Sequence, residues 1–201
     1  TTPMAQFPDF KACMVSDSGG FDDKSFNQTS HAGLTNAAAN HGIQTAEIES
    51  GSDTEYPSNI KQMVKAGCNS VTTVGFPLGD ATLKAAKQNP DVDFSIVDFA
   101  YEKAPKNLKG LTFDTDQPSF LAGYVAAGTS ETGTVGTFGG MQIPTVTIFM
   151  EGYAQGVAYY NEENGTDVQV LGWDVEKQTG SFTDDFEDKA KGQTTAEQMI
   201  Q

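Results

Sequence analysis

Between Asp17 and Asn27 the chain reads Asp-Ser-Gly-Gly-Phe-Asp-Asp-Lys-Ser-Phe-Asn. These residue types suit recognition of a neutral aromatic molecule that carries several hydroxyl groups. Asp17, Asp22 and Asp23 supply acceptors for hydroxyls, the Asn27 amide both donates and accepts, and Phe26 offers a ring face for stacking. The same carboxylates have a second chemistry open to them, as the base or the metal ligands of an α/β enzyme.

For these groups to converge, regular structure has to hold the segment. An apolar run over residues 12–15 reads as a strand, and Ser25 or Asp23 can cap a helix starting near Phe26, so the motif is a strand-to-helix turn. In an open parallel sheet such turns lie at the carboxyl ends of the strands, where ligands bind, and their glycines let backbone N–H groups face a guest. An ordinary βα loop leading into a capped helix reads the same way from a single Gly-Gly.

The rest of the chain continues this rhythm. The first helix carries small and apolar residues through Leu34, Ala37 and Ala38 and stops at Gly42, and residues 44–49 alternate weakly as a second strand. Tyr56-Pro57 opens a helix with Ile60, Met63 and Val64 on one face. A third strand over 70–74 ends at Gly75-Phe76, and a helix over 80–89 follows it. A fourth strand over 94–97 leaves Asp98 at its carboxyl end, as a ligand acceptor or as a turn-capping residue. After a fifth strand over 108–113, Asp114-Thr-Asp-Gln-Pro118 interrupts the pattern before an apolar helix over 119–127. Then come a strand over 134–138 ending at Gly139-Gly140, a long helix from Pro144 to Asn164-Gly165, a strand over 168–172, a polar stretch and a last helix over 193–200. The stripe of Phe149, Tyr153, Val157 and Tyr160 on the long helix reads as core.

Composition narrows the function. With 12 basic and 27 acidic residues the net charge is −15, which disfavours a nucleic acid polymer as partner. All 12 basic residues are Lys, and the lack of Arg argues against a phosphorylated or strongly anionic ligand. No apolar stretch approaches the ~20 residues of a transmembrane helix. Residues 1–8 read as a polar leader to a folded domain, of the kind left when a secretion signal and a lipid-anchor cysteine have been removed. His31 and His41 lie on one expected helix about 80° apart and nearly three turns distant, so they cannot share a metal ion. Two cysteines at this spacing make no zinc site, and no serine-hydrolase, zinc-protease or phosphate-loop motif is present.

The run from Asp17 to Asn27 closely resembles the first motif of the basic membrane protein family, the nucleoside-binding lipoproteins that feed ABC importers. Three further stretches match that family in order: Val74-Gly-Phe76, Phe120-Leu-Ala-Gly-Tyr-Val-Ala-Ala127, and Gly136-Thr-Phe-Gly-Gly-Met-Gln-Ile-Pro144 leading to Phe149-Met-Glu-Gly152. Together they span nearly the whole chain. The resemblance implies an α/β, type I periplasmic binding protein fold with two Rossmann-like lobes on parallel sheets. Residues 1–113 would form the N-terminal lobe, 114–118 a hinge crossover and 119–201 a partial C-terminal lobe. Family members continue for roughly a further domain half, so the chain reads as a fragment with an incomplete second lobe.

The resemblance also implies a purine nucleoside held between the lobes and delivered to an ABC permease, without a cofactor and without catalysis. The setting would be extracytoplasmic, with a lipid anchor to the cell membrane outside this chain. Asp17, Phe26 and Asn27 fall in the first motif, and the family has a ligand aspartate in about the place of Asp98. Phe182, in Gly180-Ser-Phe-Thr-Asp184, is similar to the aromatic residue that covers the other face of the base; its second reading is a loop Phe anchored to its own lobe. A nucleoside- or sugar-processing α/β enzyme and a sensory domain of the same fold remain as alternatives. Cys13 and Cys68 begin the expected first and third strands, neighbours in a sheet ordered 2-1-3, where they form a disulfide or two buried thiols; export, as the resemblance implies, favours the bond.

Overall fold

The structure is a computed structural model that describes residues 4–200. It forms two compact units, one ending at Thr112 and the other starting at Phe113. In the first unit five strands alternate with three helices: β1 (Lys11–Ser16), α1 (Phe26–His41), β2 (Gln44–Ile48), α2 (Tyr56–Lys65), β3 (Ser70–Val74), α3 (Gly79–Gln88), β4 (Asp93–Val97) and β5 (Leu108–Leu111). All four strand pairs are parallel and the spatial order is β2-β1-β3-β4-β5. The order reverses between β1 and β3, which is the switch point where open sheets of this kind bind ligands.

Strand periodicity sorts the core onto the two sheet faces. Cys13 and Val15 of β1, Val71 of β3 and Phe94 and Ile96 of β4 pack with Ile60 and Met63 of α2 and Ala86 of α3. Met14 and Val74 point the other way and meet Leu34 of α1. A central strand buried on both faces needs apolar residues at consecutive positions, and Cys13, Met14 and Val15 supply them. Gly42 ends α1 in the left-handed conformation, at φ 64°, and Pro57 occupies the first turn of α2, as their sequence positions imply. Residues 1–3 of the expected leader lie outside the described residues. Further along it, the Phe7 N–H donates to the His41 carbonyl (2.8 Å) and Gln6 Nε2 to that of Asn40 (2.9 Å), pinning the segment to the end of α1.

The second unit contains α4 (Asp116–Thr129), β6 (Thr134–Gly136), α5 (Pro144–Asn164), β7 (Gln169–Leu171), β8 (Trp173–Asp174), β9 (Thr179–Gly180) and α6 (Lys189–Ile200). β6 and β7 pair in parallel, and β8 and β9 form a small antiparallel hairpin. Helices α4 and α5 come into backbone contact because Gly123 faces the Tyr153 carbonyl and Gly156 that of Phe120, positions with no room for a Cβ. Helix α4 starts at Asp116 rather than at residue 119, so residues 116–118 of the expected crossover are its first turn; Pro118 is tolerated there because first-turn N–H groups have no intrahelical partner. The hairpin replaces an expected polar stretch. Its two-residue strands are too short for alternation to be visible in the sequence.

The two cysteines form a disulfide, with Cα atoms 5.9 Å apart. Cys68 lies in the turn before β3 rather than on the strand, and both residues are buried in the main core. A sequence separation of 55 residues corresponds to about 4 kcal/mol of stabilisation in the chain-entropy account. Titration with a colorimetric thiol reagent in denaturant without reductant should therefore detect no free thiol, and reduction should lower the unfolding midpoint. Two reactive thiols in the unreduced protein would rule the bond out.

Candidate functional site

The turn from β1 into α1 is built around Asp17. Its backbone N–H donates to the Val74 carbonyl (3.1 Å), which continues the β1–β3 ladder by one residue. Asp17 Oδ1 accepts from Asn27 Nδ2 (2.7 Å) and from the Gly19 N–H (3.1 Å). Asn27 is 2% exposed, and because a carboxylate only accepts, its amide nitrogen must face Asp17. That orientation leaves Asn27 Oδ1 buried without a partner. The carboxylate of Asp17 lies against Gly75, whose φ of +110° and lack of a Cβ are both required there.

Register carries the row across the sheet. Ser16 is level with Val74 and Val74 with Val97, so the next residues, Asp17, Gly75 and Asp98, lie side by side at the carboxyl edge. Two strand spacings separate the two aspartates by about 10 Å. Asp98 adopts the left-handed conformation, at φ 61°, while its N–H donates to the Leu111 carbonyl (2.8 Å). Among the described residues no side chain bonds its carboxylate, and burial raises its pKa above the ordinary carboxylate value. A strand-end carboxylate that is half-buried, unpaired and set in an uncommon backbone conformation is available to a ligand.

The other members of the motif separate. The Phe26 ring, at the first position of α1, is 36% exposed and open to stacking. Asp22 points to solvent, with only a 4.0 Å contact to the exposed Lys24, and does not join the site. Asp23 is taken up by capping: its carboxylate accepts from the N–H groups of Ser25 (2.9 Å), Asn27 (2.9 Å) and Gln28 (3.0 Å), whereas the Ser25 side chain makes no cap bond. Burial pulls the Asp23 pKa up, but the N–H groups of Asn27, Gln28, Ser25 and Phe26 outweigh it and hold the carboxyl below its ordinary value. Glu49, which sequence reasoning passed over, anchors the loop by accepting from the Phe21 N–H (2.6 Å). Its position just after β2 on the same sheet edge was the only available signal.

Phe182 belongs to the second unit. Its backbone bridges to Gly139, and its ring packs against the cluster of Met150, Ala154 and Trp173. Below it Glu151 accepts from Trp173 Nε1 (2.9 Å), Gln178 Nε2 (3.0 Å) and Gln155 Nε2 (2.9 Å). Among the described residues no group of three or more His, Cys, Asp or Glu could hold a metal ion, and no helix is long and apolar enough to cross a membrane.

The two perturbed carboxyls of the first unit imply opposite pH behaviour. Because burial raises the folded-state pKa of Asp98, the folded state holds more protons than the unfolded state between the two values, and stability falls as pH rises through that window. Asp98→Asn, which tolerates the left-handed backbone, should be more stable than wild type at neutral pH and lose that advantage below the ordinary carboxylate range. Asp23→Ala should cost about 1 kcal/mol at neutral pH, a difference that disappears as pH falls through the depressed folded value. Thermal denaturation of both variants from acid to neutral pH checks the signs.

Comparison with known proteins agrees with this architecture. The family described as ABC transporter substrate-binding protein, PnrA-like, matches residues 10–201. The ABC transporter nucleoside-binding protein BmpA of Lactococcus lactis is 33% identical over 195 residues, covering 95% of this chain and 52% of that protein. Basic membrane protein A of Borreliella burgdorferi is 35% identical over 156 residues, covering 77% of this chain and 46% of that one. The chain thus spans about half the length of these relatives. Among solved structures, an ABC transporter solute-binding protein from Aeropyrum pernix matches with a TM-score of 0.77 at 28% identity, over 95% of this chain and 52% of that one. Another, from Conexibacter woesei, gives 0.66 at 26% identity, over 95% and 60%. The α/β fold is that of these solute-binding proteins, with a second lobe represented in part. With the parallel sheet, the glycine-rich turn and the aspartate row at its carboxyl edge all accounted for, the chain belongs to the PnrA-like family of ABC transporter substrate-binding proteins.

Proposed function

We propose that the protein binds a nucleoside, with a purine base preferred, at the carboxyl edge of the first sheet. The observation that carries this reading is the level row of Asp17, Gly75 and Asp98, with the exposed ring of Phe26 one residue before the Asn27 that bonds Asp17. Two acceptor-only side chains about 10 Å apart match a ligand that presents hydroxyl and N–H donors along its length. They repel phosphate and carboxylate, and no Arg is present to offset that repulsion. The Phe26 face gives an aromatic base something to stack on. The name of the Lactococcus relative, a nucleoside-binding protein, supports the same class of ligand.

Family membership supports a role in delivering the ligand to an ABC permease from an extracytoplasmic position. Attachment to the membrane through a lipid anchor is part of the same proposal.

Calorimetry on the full-length protein with inosine, guanosine, adenosine, their 5′-phosphates and ribose tests the proposal. Nucleosides should bind, with the monophosphates and ribose much weaker. Phe26→Ala should lose about 1–3 kcal/mol of binding through stacking. Asp98→Ala should lose about 1.5–3 kcal/mol if its charged carboxylate bonds the ligand. Both variants binding at wild-type strength would refute the site assignment, and release of free base from bound inosine would replace binding with catalysis.

A further inference from the structure

Helices α2 and α3 stand apart from the rest of the chain in charge. Lys61, Lys65, Lys84 and Lys87 are four of the 12 Lys, and the two helices contain a single acidic residue, Asp80. The other eight Lys are set among the remaining 26 acidic residues. Lys65 and Lys87 occupy the last turns, where a cation complements the helix dipole. Lys61 and Lys84 lie in the middle of their helices, so that account does not reach them. Among the described residues none of the four lysines is in an ion pair.

The two helices meet along a groove of about 440 Å³. Helical spacing builds its walls. Lys61, Val64 and Lys65 fall on one stripe of α2, and Ala81, Lys84 and Ala85 fall on one stripe of α3 at the same intervals. Val64, Ala81 and Ala85 are half-buried against the core of the first unit and form an apolar floor, which the two small Ala side chains leave open. Lys61, Lys65 and Lys84 are exposed and form the rim. Among the described residues no acidic side chain lines this groove.

We propose that this groove is a docking surface for a partner protein, taking a segment that interleaves Asp or Glu with apolar side chains. The apolar groups settle on Val64, Ala81 and Ala85, while carboxylates meet Lys61 and Lys65 on one wall and Lys84 on the other. Charge complementarity selects this occupant. A lone phosphate or carboxylate fills little of the groove, and Lys binds it as a point charge without the bidentate geometry of Arg. An anionic bilayer is an extended negative surface, and docking on it brings the acid-rich remainder of the chain against like charge. A single segment laid between two helices meets the lysines alone, because exposed charges are screened beyond about 8 Å at physiological ionic strength. The groove lies on the outer side of α2 and α3, apart from the carboxyl edge of the sheet, so docking there does not depend on nucleoside binding.

The experiment is selection of a displayed library of random short peptides on the full-length protein, with counter-selection on a variant carrying Lys61→Glu, Lys65→Glu and Lys84→Glu. Selected peptides should combine Asp or Glu with apolar residues and should bind the variant about tenfold or more weakly than wild type, with affinity falling as salt is raised. The three lysines are exposed, so the variant should melt as wild type does. Amide shift changes in the wild-type protein on adding the best peptide should map to α2 and α3, a measurement that decides the matter without the variant. Failure to enrich any acidic peptide overturns the proposal, as does equal binding to the charge-reversed variant or a shift map that lies elsewhere. Sedimentation with phosphatidylserine vesicles that the variant loses, with no acidic peptide selected, overturns it in favour of a membrane surface.

Discussion

The hydrogen bond between Asn27 and Asp17 is the contact on which the candidate site depends. It places an ionisable acceptor at the switch point of a parallel sheet and holds it there with a side chain that is itself buried. Three separate features converge to make it possible. The β1–β3 ladder runs one residue past the strand to fix the Asp17 backbone. Asp23 gathers the first N–H groups of α1, so that Asn27 enters the helix at the right phase to reach Asp17. Gly75 removes the side chain that would otherwise occupy the space of the carboxylate. Each is a local solution to a backbone problem, and the functional geometry emerges from their agreement.

This arrangement also explains how one acidic motif divides its labour. Three aspartates lie within seven residues, yet only Asp17 faces the sheet edge; Asp23 is consumed by the helix start and Asp22 is solvated. Desolvation separates them further. Asp23 gains enough N–H donors to remain comfortably charged, while Asp98, level with Asp17 two strands away, is half-buried without compensation. Under the proposed nucleoside reading, such an uncompensated acceptor is what a neutral, hydroxyl-rich molecule would bond, because fully paired ones have nothing left to offer a ligand. In that reading the stability given up at Asp98 is the counterpart of its availability.

The second unit is organised by close helix contact rather than by a broad sheet. Glycines at 123 and 156 bring α4 and α5 together, and the two-stranded sheet and hairpin lie with Trp173 and Phe182 around Met150. Phe182 therefore has a packing role within its own unit, independent of any contact with a ligand. The Glu151 bonds to Trp173 and Gln178 tie the hairpin to α5.

Much of the fold was legible in the sequence because its signals are local. The apolar run before Asp17, Gly42 after α1, Pro57 in the first turn of α2 and Pro144 in that of α5 each specify an element or its end by backbone chemistry alone. The family was legible in the same way, from four motifs in order. What the sequence could not express was anything decided by register or by a side chain's surroundings. Whether Asp17, Asp22 or Asp23 faces the sheet edge depends on how the turn closes over β3. The disulfide required the parallel neighbours β1 and β3, since thiols 55 residues apart carry no mark of whether they are bonded. The level row from Asp17 to Asp98 and the anchoring of the loop by Glu49 exist only once strands distant in sequence lie side by side. Local propensity is written residue by residue, whereas burial and hydrogen-bond partnership belong to the packed chain.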